Sequence, residues 1–268
     1  MHPFLTSLDD ADKVRFALSY PFAQSTGSFV YAEGRAWPLT DFDIWDWPGA
    51  KVLGDRDEMA LMDVLGPVHY TDLAERRSPV LAVGSNASPE QLARKYAGTR
   101  DVIPTVRVSV ADHAIVYAAH IAGYGSVPAT LHYMPGARVN AFVNFLTDDQ
   151  RDRMDATETL GRHYAFTVLH GADIRLEDGT SLSDVAAYVA IQGVIAKGAR
   201  PLALAEVPQD TPDLEQVTQA QMAEYLRAAL APEMSLDEFV LAQIRDPALR
   251  QGREEVMATL TVPTRIKT

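Results

Sequence analysis

Apolar and polar positions change their spacing along the chain, and the changes mark three regions. Near the start, residues 9–20 form a short amphipathic segment. Asp41-Phe42-Asp43-Ile44 then alternates acid with apolar side chain, as a half-buried strand does, and Trp47-Pro48-Gly49 is expected to turn the chain. Residues 55–65 read as a short helix stopped by Gly66-Pro67. From residue 78 the pattern favours strands. Ser78-Pro79-Val80-Leu81-Ala82-Val83 reads as a buried strand that Gly84-Ser85-Asn86 breaks. Ser88-Pro89-Glu90-Gln91 then opens a helix, with Ser88 as cap, proline at the first helical position and Gln91 completing a capping box. Further strands are expected at 105–110, 114–119, 129–133, 139–146, 164–169 and 183–191, with a short helix at 147–157 that Thr147 caps. The last third reads as helices at 214–230, 235–244 and 247–260. Leu214, Val217, Tyr225 and Leu226 give a stripe that packs on the core or on a second subunit, so a homodimer is among the expected assemblies.

Composition narrows the partners. The 268 residues are 47% apolar and suffice for one large domain or two small ones. A net charge of −12 argues against nucleic acid and anionic membranes as partners, because Lys and Arg supply the affinity for phosphate. The absence of cysteine excludes a disulfide scaffold, a thiolate metal site and a cysteine nucleophile. No apolar run approaches the ~20 residues of a membrane span, and Met1 to Lys13 lacks the basic and apolar regions of a signal peptide, so a cytoplasmic location is expected. The charge is uneven: −8 over residues 1–75, +1 over 76–200 and −5 over 201–268. This suggests a nearly neutral core domain at 76–198 between an acidic N-terminal extension, 1–75, and a helical C-terminal extension, 199–268. Trp37, Trp45 and Trp47 all lie in the first extension, either as anchors that pack it onto a larger body, as a wall for stacking a ligand, or as part of a protein-interaction surface.

Several motifs fail on inspection. Gly123-Tyr124-Gly125-Ser126-Val127-Pro128 starts like a dinucleotide fingerprint, but proline stands at the third glycine and a strand follows. Gly84-Ser85-Asn86-Ala87 lacks nucleophile-elbow spacing. His2, His69, His113, His120, His132, His163 and His170 contain no metal-binding pair, so a zinc site would have to be assembled from scattered residues and no metal is expected. Asp148, Asp149, Asp152 and Asp155, interleaved with Arg151 and Arg153, read as a solvated helix face. Two features remain: a strand, small polar loop and capped helix over 80–96, whose free N–H groups suit an anion, and Glu158 after the 147–157 helix.

Together these resemble the gamma-glutamylcyclotransferase family, whose signature pairs a Tyr-Gly-Ser-Asn loop with a later glutamate. Here the loop reads Val83-Gly84-Ser85-Asn86. Ala129-Thr130-Leu131, Pro135-Gly136, Val139, Ala141-Phe142-Val143 and Met154-Asp155-Ala156-Thr157-Glu158 follow the family's order, and Tyr164 lies near its later tyrosine. The resemblance covers about 76–198. It implies an α+β fold, a small mixed β-barrel with surrounding helices, in which loop and glutamate meet in one cavity. It further implies release of 5-oxoproline from a small gamma-glutamyl amine, amide or peptide, without cofactor. Val83, Gly84, Ser85, Asn86 and Tyr164 would bind substrate and Glu158 would be the general acid/base, with loop N–H groups near Gly84 to Asn86 facing the oxyanion. An inactive binding or regulatory module on the same fold is the alternative. Val83 in place of the signature tyrosine, and Thr159 in place of the glycine after the glutamate, are the main departures.

Overall fold

The computed structural model describes residues 3–267. Helix α1 (Asp10–Leu18) precedes three strands, β1 (Phe29–Ala32), β2 (Arg35–Asp43) and β3 (Asp46–Leu53). Strand β4 (Ser78–Ala82) leads to α2 (Pro89–Lys95). A long hairpin of β5 (Val102–Tyr117) and β6 (Ala129–Leu146) then runs into α3 (Asp148–Asp155). Strands β7 (Tyr164–Val168) and β8 (Ala186–Ala190) follow, and helices α4 (Gln219–Leu230), α5 (Leu236–Arg245) and α6 (Pro247–Met257) complete the main elements.

The architecture is mixed α+β around one large, mostly antiparallel sheet. Its order is Glu58–Ala60, β3, β2, β1, β5, β6, β4, β8, β7. Strand β4 pairs antiparallel with β6 (Val80 opposite Asn144) and parallel with β8 (Ala186 opposite Val80), so it lies between them. The expected closed barrel is not present: among the described residues the two ends of this order do not pair. Closure needs free edges. The outer edge of β5 is instead hydrogen-bonded by β1, from Phe29 opposite Thr105, and by the short strand Ile174–Leu176. The N-terminal strands are therefore part of the main sheet.

Several local expectations change. Trp47, Pro48 and Gly49 lie inside β3, and the chain reverses at Ile44 and Trp45, where the Trp45 N–H donates to Asp43 Oδ1 at 2.9 Å. Trp47 is buried, stacked on Phe42, whereas Trp45 is 87% exposed. Residues 55–65 split into the strand Glu58–Ala60 and a helix of one turn, Leu61–Leu65. The paired segments on each arm of the hairpin fuse into single strands because the interruption is only a bulge at Asp112, whose φ is +55°. Its carboxylate accepts the Gly136 N–H at 2.9 Å across the hairpin. Ser88 makes no side-chain cap, and Gln91 instead accepts from Arg94 Nε at 2.8 Å. The Thr147 cap does form, as a reciprocal box with Gln150.

Below the site, one buried arginine ties the elements together. Arg77, 1% exposed, donates to the Val102, Phe145 and Asp72 carbonyls and to Gln150 Oε1, at 2.7–3.1 Å. Its guanidinium also pairs with the Asp72 carboxylate at 3.2 Å. The start of β5, the end of β6 and the first turn of α3 are thus fixed on one planar group. Among the described residues, no helix is long and apolar enough to cross a membrane.

Candidate active site

Strand β4 ends at Ala82, and beyond it the chain tightens into one turn of 3-10 helix, Ser85–Ala87. The central hairpin fixes this turn. Asn144 on β6 donates from Nδ2 to the Asn86 carbonyl at 3.1 Å and is itself held by the Thr105 hydroxyl at 3.0 Å. The Asn86 side chain is thereby aimed across the sheet end, where its Nδ2 donates to Glu158 Oε1 at 3.0 Å.

Glu158 reaches that point because α3 starts rigidly and stops abruptly. After the Thr147–Gln150 box, the Thr157 and Glu158 N–H groups bond back to Met154 and Asp155 at 2.9 and 3.1 Å. Thr159 then turns the chain with φ of +52°. This is the left-handed region that favours glycine. The threonine here keeps that backbone at a cost of about 1–2 kcal/mol.

A third group completes the contact. Lys95, at the end of α2, places Nζ 2.6 Å from Glu158 Oε1 and 3.2 Å from Met154 Sδ, with side chains 7% and 14% exposed for Lys95 and Glu158. Asn86 and Lys95 share Oε1, and no described group bonds Oε2, which is left to the cavity. The expected partly apolar surround of Glu158 therefore includes a buried ammonium.

The cavity above these groups measures about 460 Å³. Val83, Gly84, Ser85, Asn86, Glu158 and Tyr164 all line it, so the loop, the glutamate and the later tyrosine share one cavity. The Tyr164 hydroxyl donates to the Ala129 carbonyl at 3.0 Å and so holds the start of β6. Burial pushes the Tyr164, Tyr20 and Tyr124 hydroxyls up from their usual range, so all three stay neutral donors.

Both flanks supply walls that sequence reasoning missed. From the N-terminal side come Leu5, Phe16 and Tyr20, and from α6 come Arg250 and Glu254. The Tyr20 oxygen accepts the Ala129 N–H at 2.8 Å, so Tyr20 and Tyr164 hold the two backbone groups of the same residue. Arg94 lies over the Phe16 and Phe22 rings at 4.9 and 4.6 Å, with one buried guanidinium nitrogen unpartnered. His120 and His163 stack at 4.2 Å between centroids, and His163 Nε2 is 3.5 Å from Glu254. Burial, then the neighbouring His163, pushes His120 well below the usual imidazole range. Four basic side chains, Arg94, Lys95, Arg162 and Arg250, and two acidic ones, Glu158 and Glu254, line the cavity, and although Arg94 is also ion-paired with Glu90, the lining of this acidic protein's cavity is cationic in balance. Tyr124 also lines it, although its Gly-Tyr-Gly stretch serves no nucleotide turn. Lys95 gave no local signal, since a lysine in a last helical turn ordinarily complements the helix dipole. Among the described residues no group of three His, Asp or Glu is arranged to hold a metal ion, and His2 lies outside them.

No family model matches the chain, and no curated protein matches it. Among solved structures it is similar to a gamma-glutamyl cyclotransferase, with 11% identity and a TM-score of 0.36 over 72% of this chain and 92% of that one. An uncharacterized human protein aligns at 12% identity and a TM-score of 0.38, covering 71% and 90% of the two chains. YkqA from Bacillus subtilis aligns at 9% and 0.32, covering 88% and 72%.

Proposed function

We propose that the protein is a gamma-glutamylcyclotransferase-like enzyme that releases 5-oxoproline from a small gamma-glutamyl amine, amide or peptide. The observation that carries this reading is the Glu158 carboxylate, bonded to Asn86 at 3.0 Å and open at Oε2, in one cavity with the Gly84–Asn86 turn. The cationic lining suits the glutamyl carboxylate. The substrate's α-nitrogen attacks its own γ-carbonyl carbon, the bond to the leaving nitrogen breaks, and a five-membered lactam closes. Two protons pass from the α-ammonium to the leaving amine, and Glu158 Oε2 carries them. Because nucleophile and electrophile belong to one molecule, a cavity that holds the chain curled supplies much of the rate.

The test is a panel of gamma-glutamyl compounds assayed for 5-oxoproline. Turnover in the wild type that falls at least ~100-fold in Glu158→Gln is expected; turnover unchanged in that variant removes the mechanism. A second reading, a small-carboxylate binding or regulatory module, draws on Val83 and on the 2.6 Å Lys95–Glu158 pair, which makes Glu158 a counter-ion. Calorimetric binding of a small carboxylate, without turnover anywhere in the panel, favours it.

A further inference from the structure

Val83 removes the hydroxyl that the signature tyrosine brings to the cavity, and Tyr20 from the N-terminal flank brings another to the same strand end. Tyr20 is 2% exposed. Its oxygen accepts the Ala129 N–H at 2.8 Å. It packs so closely on the loop that a Cβ at position 84 would lie 2.1 Å from it. Gln24, four residues on, donates to the Gly84 carbonyl at 3.4 Å, so the flank grips this turn twice.

The Ala129 amide on the phenol oxygen leaves the hydroxyl hydrogen free to donate, and it polarises the O–H bond into a stronger donor. No described residue within hydrogen-bond reach accepts that hydrogen, while the side chain lines the cavity.

We infer that the Tyr20 hydroxyl is the principal donor to the substrate's γ-carbonyl oxygen and to the oxyanion formed there, so that the N-terminal flank completes the oxyanion site. As the α-nitrogen bonds to the carbon, the carbonyl π pair moves onto oxygen, and it returns when the leaving amine departs. Tyr20 keeps its proton throughout. A neutral O–H is pre-aimed at the charge that develops, with the Ala129 amide behind it.

This assignment rests on the cyclisation reading, and its test separates the two. In Tyr20→Phe, kcat for a gamma-glutamyl amide falls roughly 100-fold, while KM changes less than about threefold. For the γ-thioamide analogue the loss shrinks below about tenfold, because sulfur is a weak acceptor. Equal losses on both substrates, or an unchanged kcat, overturn the assignment while leaving cyclisation intact. Should the phenylalanine variant not fold, 3,5-difluorotyrosine at position 20 keeps every contact with a more acidic phenol, and an unchanged kcat there overturns it. If the wild type makes no 5-oxoproline, the cyclisation reading falls and calorimetry with 5-oxoproline decides. Binding roughly fivefold weaker in Tyr20→Phe supports a carbonyl donor; equal affinity, or no binding by the wild type, overturns it.

Discussion

Gly84→Ala tests whether Tyr20 and the loop are one packed unit, and it does so without any substrate. The φ of Gly84 is −150°, outside the left-handed region, so contact decides the outcome. The new methyl carbon would lie 2.1 Å from the Tyr20 oxygen, 3.1 Å from Cζ and 3.7 Å from Ala129 Cβ. Since carbon contacts close near ~3.5 Å, the hydroxyl must retreat by more than about 1 Å, which breaks its 2.8 Å bond to the Ala129 N–H. Overpacking costs about 1–3 kcal/mol, and a buried N–H left without a partner costs about 1–3 more, so roughly 2–6 kcal/mol is expected. Tyr20→Phe removes the oxygen and leaves only the Cζ contact, which side chains relieve by a few tenths of an ångström. In that background Gly84→Ala should cost less than about 1 kcal/mol, a coupling of at least ~1 kcal/mol. Urea unfolding of the wild type, both single variants and the double variant, at constant m, measures it. Additivity within about 0.5 kcal/mol would refute the packing argument and remove the geometric basis for the Tyr20 assignment.

Three further predictions concern the frame of the site. Arg77→Met removes the ion-pair partner of the part-buried Asp72 carboxylate and the donors to Gln150 and three carbonyls; a loss of about 3–5 kcal/mol by urea unfolding is expected, and Arg77→Lys should recover little of it because an ammonium cannot span the same acceptors. His132 is pushed down to about 4, first by burial and then by Arg265, whose N–H it accepts at 3.3 Å. The unfolded chain takes up this proton near 6.5 and the native chain does not, so stability is full above that pH, falls toward about 4 and is flat below. The interval corresponds to about 3 kcal/mol. Buried His113 and His120 act in the same direction. His132→Asn should therefore lose roughly 2–3 kcal/mol less than the wild type between pH 7 and 4, and parallel losses would contradict it. Thr159→Gly relieves a φ of +52°; after the entropy cost of glycine, a gain of about 0.5–1 kcal/mol in thermal or urea unfolding is expected.

Local signals in the sequence carried a good part of this protein. Thr147 and Gln150 form their box because both partners lie within one turn, and the β4-to-α2 passage is legible because an apolar run meets Gly84 and then Pro89. The meeting of Gly84–Asn86 with Glu158 was legible only as a family pattern, since nothing local relates residues so far apart. Strand boundaries were less legible: the Asp112 bulge and Gly136 look like breaks in one dimension, yet each is accommodated because the opposing strand supplies the other's hydrogen bond. Trp47-Pro48-Gly49 has the composition of a turn but is held extended by the buried Trp47 and its neighbours in the sheet.

What the tertiary structure alone decided is which distant groups share the cavity. Lys95 reads as an ordinary helix-end cation until the fold sets it 2.6 Å from Glu158. Tyr20 reads as the end of a small amphipathic helix until α1 lays it against Gly84. The open sheet likewise depends on β1 taking the edge of β5, a long-range choice that no window of residues encodes. Periodicity and capping act over a few residues, so the sequence determined the elements. Ion pairs, edge pairing and cavity walls join residues far apart in the chain, and only packing brings them together.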